Sequence, residues 1–237
     1  LEQNFSTLDL IIDLQSKLRN TIILKKIPHN NFYSSTFGCR FCSNQTRCYS
    51  KDHLINLNKF LKEKIERSNY DLNLISKKYI LEAERLLPNK DYIGFSVTQG
   101  NAYRKKTWAI ENFINLAKKV SNQNKIPVFF IEKNNSLLVG QIKKRVPLAL
   151  FPEHNSNITC PALVTALSSR LDRAISIDNG VMHMMGLANI PMIVLFGPTK
   201  SEKFAPQGNK IKILDSKKIY NSNDIDTIKV DDVLKLL

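Results

Sequence analysis

The regular alternation of two kinds of segment after Pro88 constrains the fold more than any other feature of the sequence. Short apolar runs, which predict strands, alternate with segments whose apolar residues recur at helical spacing. This pattern is typical of βαβ units and predicts an α/β fold with a parallel sheet. The predicted strands are 92–97, 127–131, 147–151, 174–177, 190–196 and 211–214, and the predicted helices are 108–120, 137–144, 161–169, 180–187 and 230–237.

The chain before Pro88 has a different pattern. A short buried strand is predicted over 8–14, and a turn with the start of a helix follows at 15–19. Residues 30–49 are rich in Asn, Ser, Thr, Gly and Cys, a composition that predicts a loop. Two further helices are predicted over 52–66 and 77–87, where apolar residues again recur at helical spacing.

These patterns predict the domain organisation. The Pro-Asn-Lys-Asp sequence that begins at Pro88 interrupts the helical pattern, so we place a domain boundary there. We expect a partial N-terminal domain over 1–88, a larger domain over 89–220 and a closing helical segment over 221–237. Because the first residue is Leu1 and a predicted strand follows within a few residues, we expect part of the N-terminal domain to lie upstream.

The composition is that of a globular protein with a strong positive charge. The 35 basic and 21 acidic residues give a net charge of +14. One interpretation is a polyanionic partner, such as nucleic acid, an anionic membrane surface or a phosphate-bearing substrate. The interpretation that we prefer is a set of dispersed lysines on solvated helix faces, such as Lys118 and Lys119. No apolar run reaches the roughly 18 residues that a transmembrane helix needs, so none is predicted.

The cysteines offer a second choice between interpretations. Cys39, Cys42 and Cys48, with His53 beyond them, place four ligands of the kind that zinc prefers within one short segment. We prefer the alternative of a loop of free thiols without a metal, and we expect Cys160 to be packed in the interior. Neither a secretory signal nor the cysteine pattern of a secreted disulfide framework is apparent, so a reducing cytoplasm is the expected compartment.

The segment that begins at Asp178 is the most informative motif. A predicted strand ends at Ile177, and the chain turns into a helix through Asp-Asn-Gly, with Asn179 as the predicted N-cap. The free N–H groups of the first helical turn and the positive end of the helix dipole form a site for a diphosphate. His183 lies about one turn further and could reach the same ligand. The alternative is a capped helix with a buried structural histidine.

The ends of the other predicted strands place further polar residues at the same edge. In a parallel sheet, ligands bind beyond the carboxyl ends of the strands. The loops that begin near 98, 132, 152, 178 and 197 are therefore expected to share this edge. Within the last of them, Gly-Pro predicts a turn that presents the hydroxyl of Thr199 and the ammonium group of Lys200.

Together these motifs resemble one glycosyltransferase family. The segment from Asp178 to His183 is followed by GLANIP at 186–191, by FGPT at 196–199 and by Pro206, while RKKTW at 104–108 precedes the first helix of the larger domain. The chain thus resembles the ADP-heptose:lipopolysaccharide heptosyltransferases, which are inverting GT-B enzymes of glycosyltransferase family 9. The resemblance implies a Rossmann-like, parallel-sheet donor domain, preceded by a partial Rossmann-like acceptor domain that contains the predicted first strand.

The resemblance and the turn motif predict donor-binding residues. Lys106 matches the lysine that neutralises the donor diphosphate, and Glu132 resembles an acidic residue that binds the ribose hydroxyls. Asn179 stands where the family usually has Ser or Thr, which puts the preference for the donor in question rather than the fold. The full set of predicted donor-binding residues is Lys106, Glu132, Asp178, Asn179, Gly180, His183 and Thr199.

The implied function is transfer of a sugar, with heptose the first candidate, from a nucleoside diphosphate donor to a lipopolysaccharide core acceptor. The resemblance implies inversion at the sugar and no need for a metal or other cofactor. The general base of the family lies in an early glycine-containing loop that has no match here, so we expect it upstream of Leu1. Lys17 and Arg19 are candidates for binding an acidic, lipid-linked acceptor, which would place the protein at the inner face of the bacterial inner membrane.

Two alternatives stay open. If the catalytic base is missing, the chain is a truncated, non-catalytic domain that binds a nucleotide sugar. The other alternative is a basic, zinc-containing nucleic-acid-binding protein, based on the net charge and the cysteine cluster. That class is characterised by clustered Lys and Arg interleaved with aromatic residues, which this sequence lacks, so we expect no nucleic-acid partner.

Overall fold

The computed structural model describes residues 6–15, 17–44, 47–48, 50, 52–66, 71–88, 91–100 and 105–237. Its contacts divide the chain into two compact units, Leu1–Asn69 and Tyr70–Leu237. The division falls before the Pro88 boundary expected from the sequence, since the helix Lys77–Leu86 packs on the helix Pro161–Ser168 of the second unit. None of the described helices is long and apolar enough to cross a membrane.

The first unit is built on a parallel pair of strands. Strand β1 (Leu8–Asp13) leads into helix α1 (Leu18–Leu24) and then into strand β2 (His29–Ser34), which pairs with β1. Helix α2 (His53–Leu61) contributes Phe60, whose ring centroid lies 5.4 Å from that of Tyr33.

Strand β2 lies where the sequence predicts a loop, so that part of the 30–49 prediction is wrong. Only the second half of the strand is buried, whereas Asn30 and Asn31 are exposed. The alternation by which a strand is recognised is therefore missing from its sequence.

Two of the clustered cysteines are bonded to each other, which corrects the prediction of free thiols. Cys39 and Cys48 form a disulfide, with their Cα atoms 5.3 Å apart, and Cys42 and Cys160 are free. The bond closes a short loop after β2, where Cys39 takes a left-handed backbone conformation with φ 67°. With two of its four candidate ligands in a disulfide, the proposed zinc set is not assembled, and no group of three or more potential metal ligands occurs among the described residues.

Thiol titration checks this pairing. We expect Ellman's reagent to find two thiols per chain in denaturant without reductant, and four after reduction. Because disulfides are rare in a reducing cytoplasm, the same measurement also tests the expected compartment. Four thiols in protein purified anaerobically without reductant would contradict the pairing.

The second unit is a five-stranded parallel sheet with the strand order β4-β3-β5-β6-β7. Its strands are β3 (Tyr92–Ser96), β4 (Ile126–Phe130), β5 (Arg173–Ile177), β6 (Met192–Phe196) and β7 (Ile211–Asp215). Its helices are α3 (Lys77–Leu86), α4 (Ile110–Ser121), α5 (Ser136–Arg145), α6 (Pro161–Ser168), α7 (Gly180–Leu187), α8 (Ser201–Phe204), α9 (Ser216–Tyr220) and α10 (Val230–Leu234). The α/β fold with a parallel sheet is confirmed.

One predicted strand of this unit is not formed. Within 147–151 only Leu150 makes a parallel bridge, to Val128 of β4. Pro147 has no N–H to offer a neighbouring strand, and the N–H of Ala149 donates to the carbonyl of Val146 in a turn at 3.0 Å. The chain then enters the 3-10 turn Pro152–Asn155 at once, so no room remains for a strand.

Apolar side chains fill both faces of this sheet. Trp108, which we predicted to be a core residue, is 1% exposed and packs edge-on against Phe113 at 5.0 Å. Its Nε1–H donates to the carbonyl of Ile228 at 2.9 Å. The segment 221–237 therefore packs into the second unit and shares its core through Ile225, Ile228 and Val233.

Candidate functional site

The carboxyl ends of three neighbouring strands bring distant segments together. Ser96 of β3 lies beside Ser176 of β5, and Ile177 of β5 lies beside Leu195 of β6. The segments that leave these strands at Val97, Asp178 and Gly197 therefore run side by side along one edge. This edge is where ligands bind in open parallel sheets.

Asn179 joins two of these segments through its side chain. Its Oδ1 accepts a hydrogen bond from the N–H of Met182 at 2.9 Å, which caps α7. Its Nδ2 donates to Ser96 Oγ and to the carbonyl of Thr98, both at 2.7 Å. Both amide hydrogens are thus used within the protein, so this side chain fixes the start of α7 against the end of β3. A Ser or Thr side chain is too short to make all three bonds.

A buried carboxylate holds a lysine at the start of α7. Lys106 Nζ lies 2.8 Å from Asp178 Oδ2, and the two side chains are 25% and 8% exposed. The Lys106 backbone N–H also donates to Gln99 Oε1 at 2.7 Å, which fixes the segment that carries the lysine. An ammonium group has three donors, so two stay available for another acceptor. Arg104, which belongs to the same predicted basic segment, lies outside the described residues.

The first turn of α7 is open to solvent. Gly180 is exposed, and a Cβ added to it would meet no atom within 4 Å. His183 is exposed as well, so the alternative of a buried structural histidine is wrong. The N–H groups of Gly180 and Val181 have no acceptor inside the helix, as at every helix start. An anion would therefore meet unpaired donors here together with the positive end of the helix dipole.

Two glutamates stand further along the same edge, next to β4. Glu132 is exposed, and its Oε1 accepts a hydrogen bond from Thr98 Oγ1 at 3.1 Å. Glu153 lies on the 3-10 turn Pro152–Asn155, where burial above all, and then the charge of Glu132, raises its pKa to about 7. A hydrogen bond with the Ile131 backbone and the charge of Lys133 oppose this rise. Sequence reasoning missed Glu153, although its segment was among the loops placed at this edge.

The turn after β6 is held by close packing. A Cβ on Gly197 would come within 2.8 Å of Ile225 Cβ and 3.0 Å of the Ile225 nitrogen, so a larger residue does not fit. Thr199 is 6% exposed, and its Oγ1 has no hydrogen-bond partner within the described part of the chain. Close packing also explains Gly186 and Pro206, because a Cβ on that glycine would lie 3.0 Å from the proline Cβ.

The first unit has a polar network of its own at the end of β1. Asp13 is 2% exposed and accepts hydrogen bonds from Thr21 Oγ1 at 2.5 Å and Ser34 Oγ at 2.9 Å. Its other oxygen accepts from the N–H of Gln15 at 3.0 Å. A cavity of about 410 Å³ opens beside it, lined by Ile12, Asp13, Leu14, Gln15, Asn20, Ile23 and Leu24.

The two predicted acceptor-binding residues lie close to this cavity along the chain. Lys17 and Arg19, at the start of α1, are both exposed. No ion pair of either is found among the described residues.

A five-stranded parallel sheet with a capped helix start at its carboxyl edge, preceded in the chain by a second strand-helix-strand unit, resembles the fold of the GT-B glycosyltransferases. The chain belongs to glycosyltransferase family 9 (heptosyltransferase), whose family model matches residues 3–232. Lipopolysaccharide heptosyltransferase 1 of Campylobacter coli is 23% identical over 266 residues, an alignment that covers 100% of this chain and 77% of that protein.

Solved structures show the same fold. The E. coli heptosyltransferase WaaC with ADP has a TM-score of 0.70 at 13% identity, over 97% of this chain and 72% of that one. E. coli ADP-heptose lps heptosyltransferase II has a TM-score of 0.56 at 16% identity, over 68% of this chain. In that comparison the chain spans only 50% of the relative's length. The GT-B fold and the family predicted from the sequence are confirmed.

Proposed function

We propose that this chain binds a nucleotide sugar and transfers its sugar to a lipopolysaccharide core acceptor, with ADP-heptose as the first candidate donor. The observation that carries the proposal is the position of Lys106 Nζ, held by Asp178 directly before the open start of α7. One relative is solved with ligands of this kind, since structures of WaaC are described with ADP and with ADP-2-deoxy-2-fluoro heptose.

The chemistry of the donor explains why the diphosphate cradle, formed by Lys106, Asp178 and the first turn of α7, would promote sugar transfer. When the bond between the sugar and the diphosphate breaks, the leaving nucleoside diphosphate gains negative charge. Donors that are already oriented stabilise this charge more in the transition state than in the ground state. The Lys106 ammonium, the first-turn N–H groups of α7 and the exposed His183 would supply these donors, so we propose a reaction that needs no metal. Inversion at the sugar is proposed from the resemblance to the family.

The other predicted donor-binding residues take positions around this cradle. Glu132, held by Thr98 Oγ1, would accept hydrogen bonds from the ribose hydroxyls. Gly180 would let the diphosphate approach the backbone, and Thr199 would form the wall of the site beside β6. Asn179 is assigned a different role from the one first predicted, since its amide is engaged within the protein and holds the cradle in shape.

The first unit would hold the acceptor. The cavity at the end of β1 combines an apolar wall with the amide groups of Gln15 and Asn20, and exposed cations lie close by in the sequence at Lys17 and Arg19. Such a set suits a sugar with acidic groups. Because lipopolysaccharide core acceptors are lipid-anchored, we propose peripheral action at the inner face of the inner membrane. We assign no residue of this chain as the general base.

Calorimetry and a transfer assay test the proposal in two steps. We expect ADP and ADP-heptose to bind the intact chain with micromolar to millimolar affinity, and transfer to be measured with purified core acceptor. If neither nucleotide binds, the proposal fails. If both bind and no sugar is transferred, the chain is a non-catalytic domain that binds nucleotide sugars.

His183 is tested separately. His183→Ala removes one donor to the diphosphate or sugar, so we expect affinity for ADP-heptose to fall roughly five- to tenfold, the value of about one hydrogen bond. The matched control is His29→Ala, whose ring Nδ1 bonds to the carbonyl of Ile27 in the first unit. Unchanged affinity in the His183 variant, or an equal loss in the control, would remove His183 from the site.

A further inference from the structure

We propose that the amino-terminal edge of the larger sheet carries a second anion site, which binds a phosphate group. A cavity of about 170 Å³ opens at the starts of β5, β6 and β7. Its charged lining residues are Arg173, Lys210 and Lys212, and none of the described residues that line it is acidic. The proposed sugar transfer uses none of these residues, so this inference goes beyond the proposed function.

The strand register brings the three cations together. Lys212 of β7 pairs with Ile193 of β6, which pairs with Ile175 of β5, and Ile175 stands two positions after Arg173. Because paired residues share a face of the sheet and side chains alternate along a strand, Arg173 and Lys212 lie on the same face. Lys210 stands two positions before Lys212 and lines the same cavity.

The charges of these three side chains are not balanced. Arg173 Nη1 and Lys212 Nζ both donate to the Leu236 carbonyl, at 2.5 and 3.2 Å, and Lys210 Nζ donates to the Asn189 carbonyl at 3.1 Å. A carbonyl group is neutral, so these bonds hold the cations in place without neutralising them. None of the three forms an ion pair within the described part of the chain. Guanidinium and ammonium groups have five and three N–H donors, so donors remain for a ligand.

A phosphate group suits this cavity in charge and in size. Its oxygens accept charge-assisted hydrogen bonds from guanidinium and ammonium groups. Three neighbouring cations repel one another, and a bound dianion offsets this repulsion. The volume is larger than a single water needs, and Pro191 and Met192 supply an apolar wall. A soluble phosphate and the headgroup of an anionic lipid offer the same chemical group, so the experiment below distinguishes these two sources.

The proposed site is separate from the diphosphate cradle. Arg173 begins β5, and Asp178 follows the other end of this strand five positions later, which corresponds to about 16 Å. Salt screens exposed charges beyond about 8 Å at physiological ionic strength. Removal of the two lysines should therefore change ADP affinity by less than about twofold.

Calorimetry with inorganic phosphate tests the site on the intact chain, at fixed ionic strength and with ADP present to occupy the diphosphate cradle. We expect millimolar binding, which the double variant Lys210→Met with Lys212→Met weakens roughly tenfold, since each exposed charge contributes about threefold. Methionine keeps the apolar stem of lysine and removes only the charge. If thermal melts show that the double variant is unfolded, Lys210→Met alone, which lies outside β7, should lose roughly threefold.

The matched control removes two lysines elsewhere. Lys143 and Lys144 are exposed in the last turn of α5 and do not line the cavity, so Lys143→Met with Lys144→Met should leave phosphate affinity unchanged. Absence of phosphate binding to the wild type, or equal losses in both double variants, would overturn the inference. If ADP itself does not bind, the proposed function fails instead, and the phosphate titration is repeated with Lys106→Ala, which lacks the cation of the cradle.

Sedimentation with lipid vesicles identifies the source of the phosphate group. Binding to phosphatidylglycerol vesicles, but not to phosphatidylcholine vesicles, that the Lys210 and Lys212 double variant loses and the control retains would support a lipid headgroup. Phosphate binding with no such difference between the variants on vesicles would support a soluble phosphate as the ligand.

Discussion

Asn179→Ala is expected to lower the free energy of unfolding by roughly 3 kcal/mol. The loss of the N-cap accounts for about 1 kcal/mol of this. The rest comes from two groups left without a donor, the buried Ser96 Oγ and the half-buried carbonyl of Thr98, at about 1 kcal/mol each. Chemical denaturation followed by circular dichroism measures the change.

Two further variants make this prediction specific. Asn179→Ser can still cap α7 but cannot reach β3, so it should recover only about 1 kcal/mol. Asn135→Ala is the matched control, because Asn135 stands at the N-cap of α5 without a side-chain cap bond and should be close to neutral. If Ser restores full stability, the contact with β3 contributes nothing and Asn179 is only a cap.

Lys106→Ala is expected to weaken ADP binding roughly 30- to 150-fold, equivalent to about 2–3 kcal/mol. The variant loses the charged donor to the diphosphate. It also leaves the Asp178 carboxylate, 8% exposed, without its cation and facing an anionic ligand. Calorimetry at fixed ionic strength measures the change, since salt screens part of the effect.

The neighbouring lysine provides a control of equal charge. Lys105 is 62% exposed and pairs with Asp226 at 2.5 Å and Asp224 at 3.5 Å, away from Asp178. Lys105→Ala should change ADP affinity by no more than about twofold, as expected for exposed pairs. Equal losses of ADP affinity in both variants would mean that the nucleotide is attracted by the overall positive charge of the protein, and that Lys106 has no specific role in binding.

Most of the larger unit could be predicted from the sequence because its segments are strongly periodic. The helix Gly180–Leu187 was predicted with the bounds that the structure has, since Asn179 and Gly180 are local signals of a helix start. Strand β2 was not predicted, because half of it is exposed and Asn-rich and shows no apolar alternation. Its pairing with β1, rather than its side-chain pattern, makes this segment a strand.

The residues of the candidate site also fall into those that local sequence predicts and those that depend on the fold. Asp178 and Gly180 stand at a strand-to-helix turn, where residue types and spacing are sufficient to predict an anion site. Glu153 carries no such signal, since its raised pKa depends on burial and on Glu132, which lies 21 positions earlier in the chain. The pairing of Cys39 with Cys48 is likewise a property of the folded loop, because spacing alone is equally consistent with zinc or free thiols.

The alternation of strands and helices determined, from sequence alone, a parallel sheet with one functional edge. The physical reason is that apolar periodicity and turn residues act locally, over a few positions of the chain. Tertiary structure alone decided which of the segments at that edge are neighbours. The Asn179 amide reaches Ser96 and Thr98, 83 and 81 positions away, because the order β4-β3-β5 places β3 beside β5. Hydrogen bonds between residues so far apart in sequence depend on the strand order. Periodicity does not fix that order, because sequences with the same periodicity could form sheets with different strand orders.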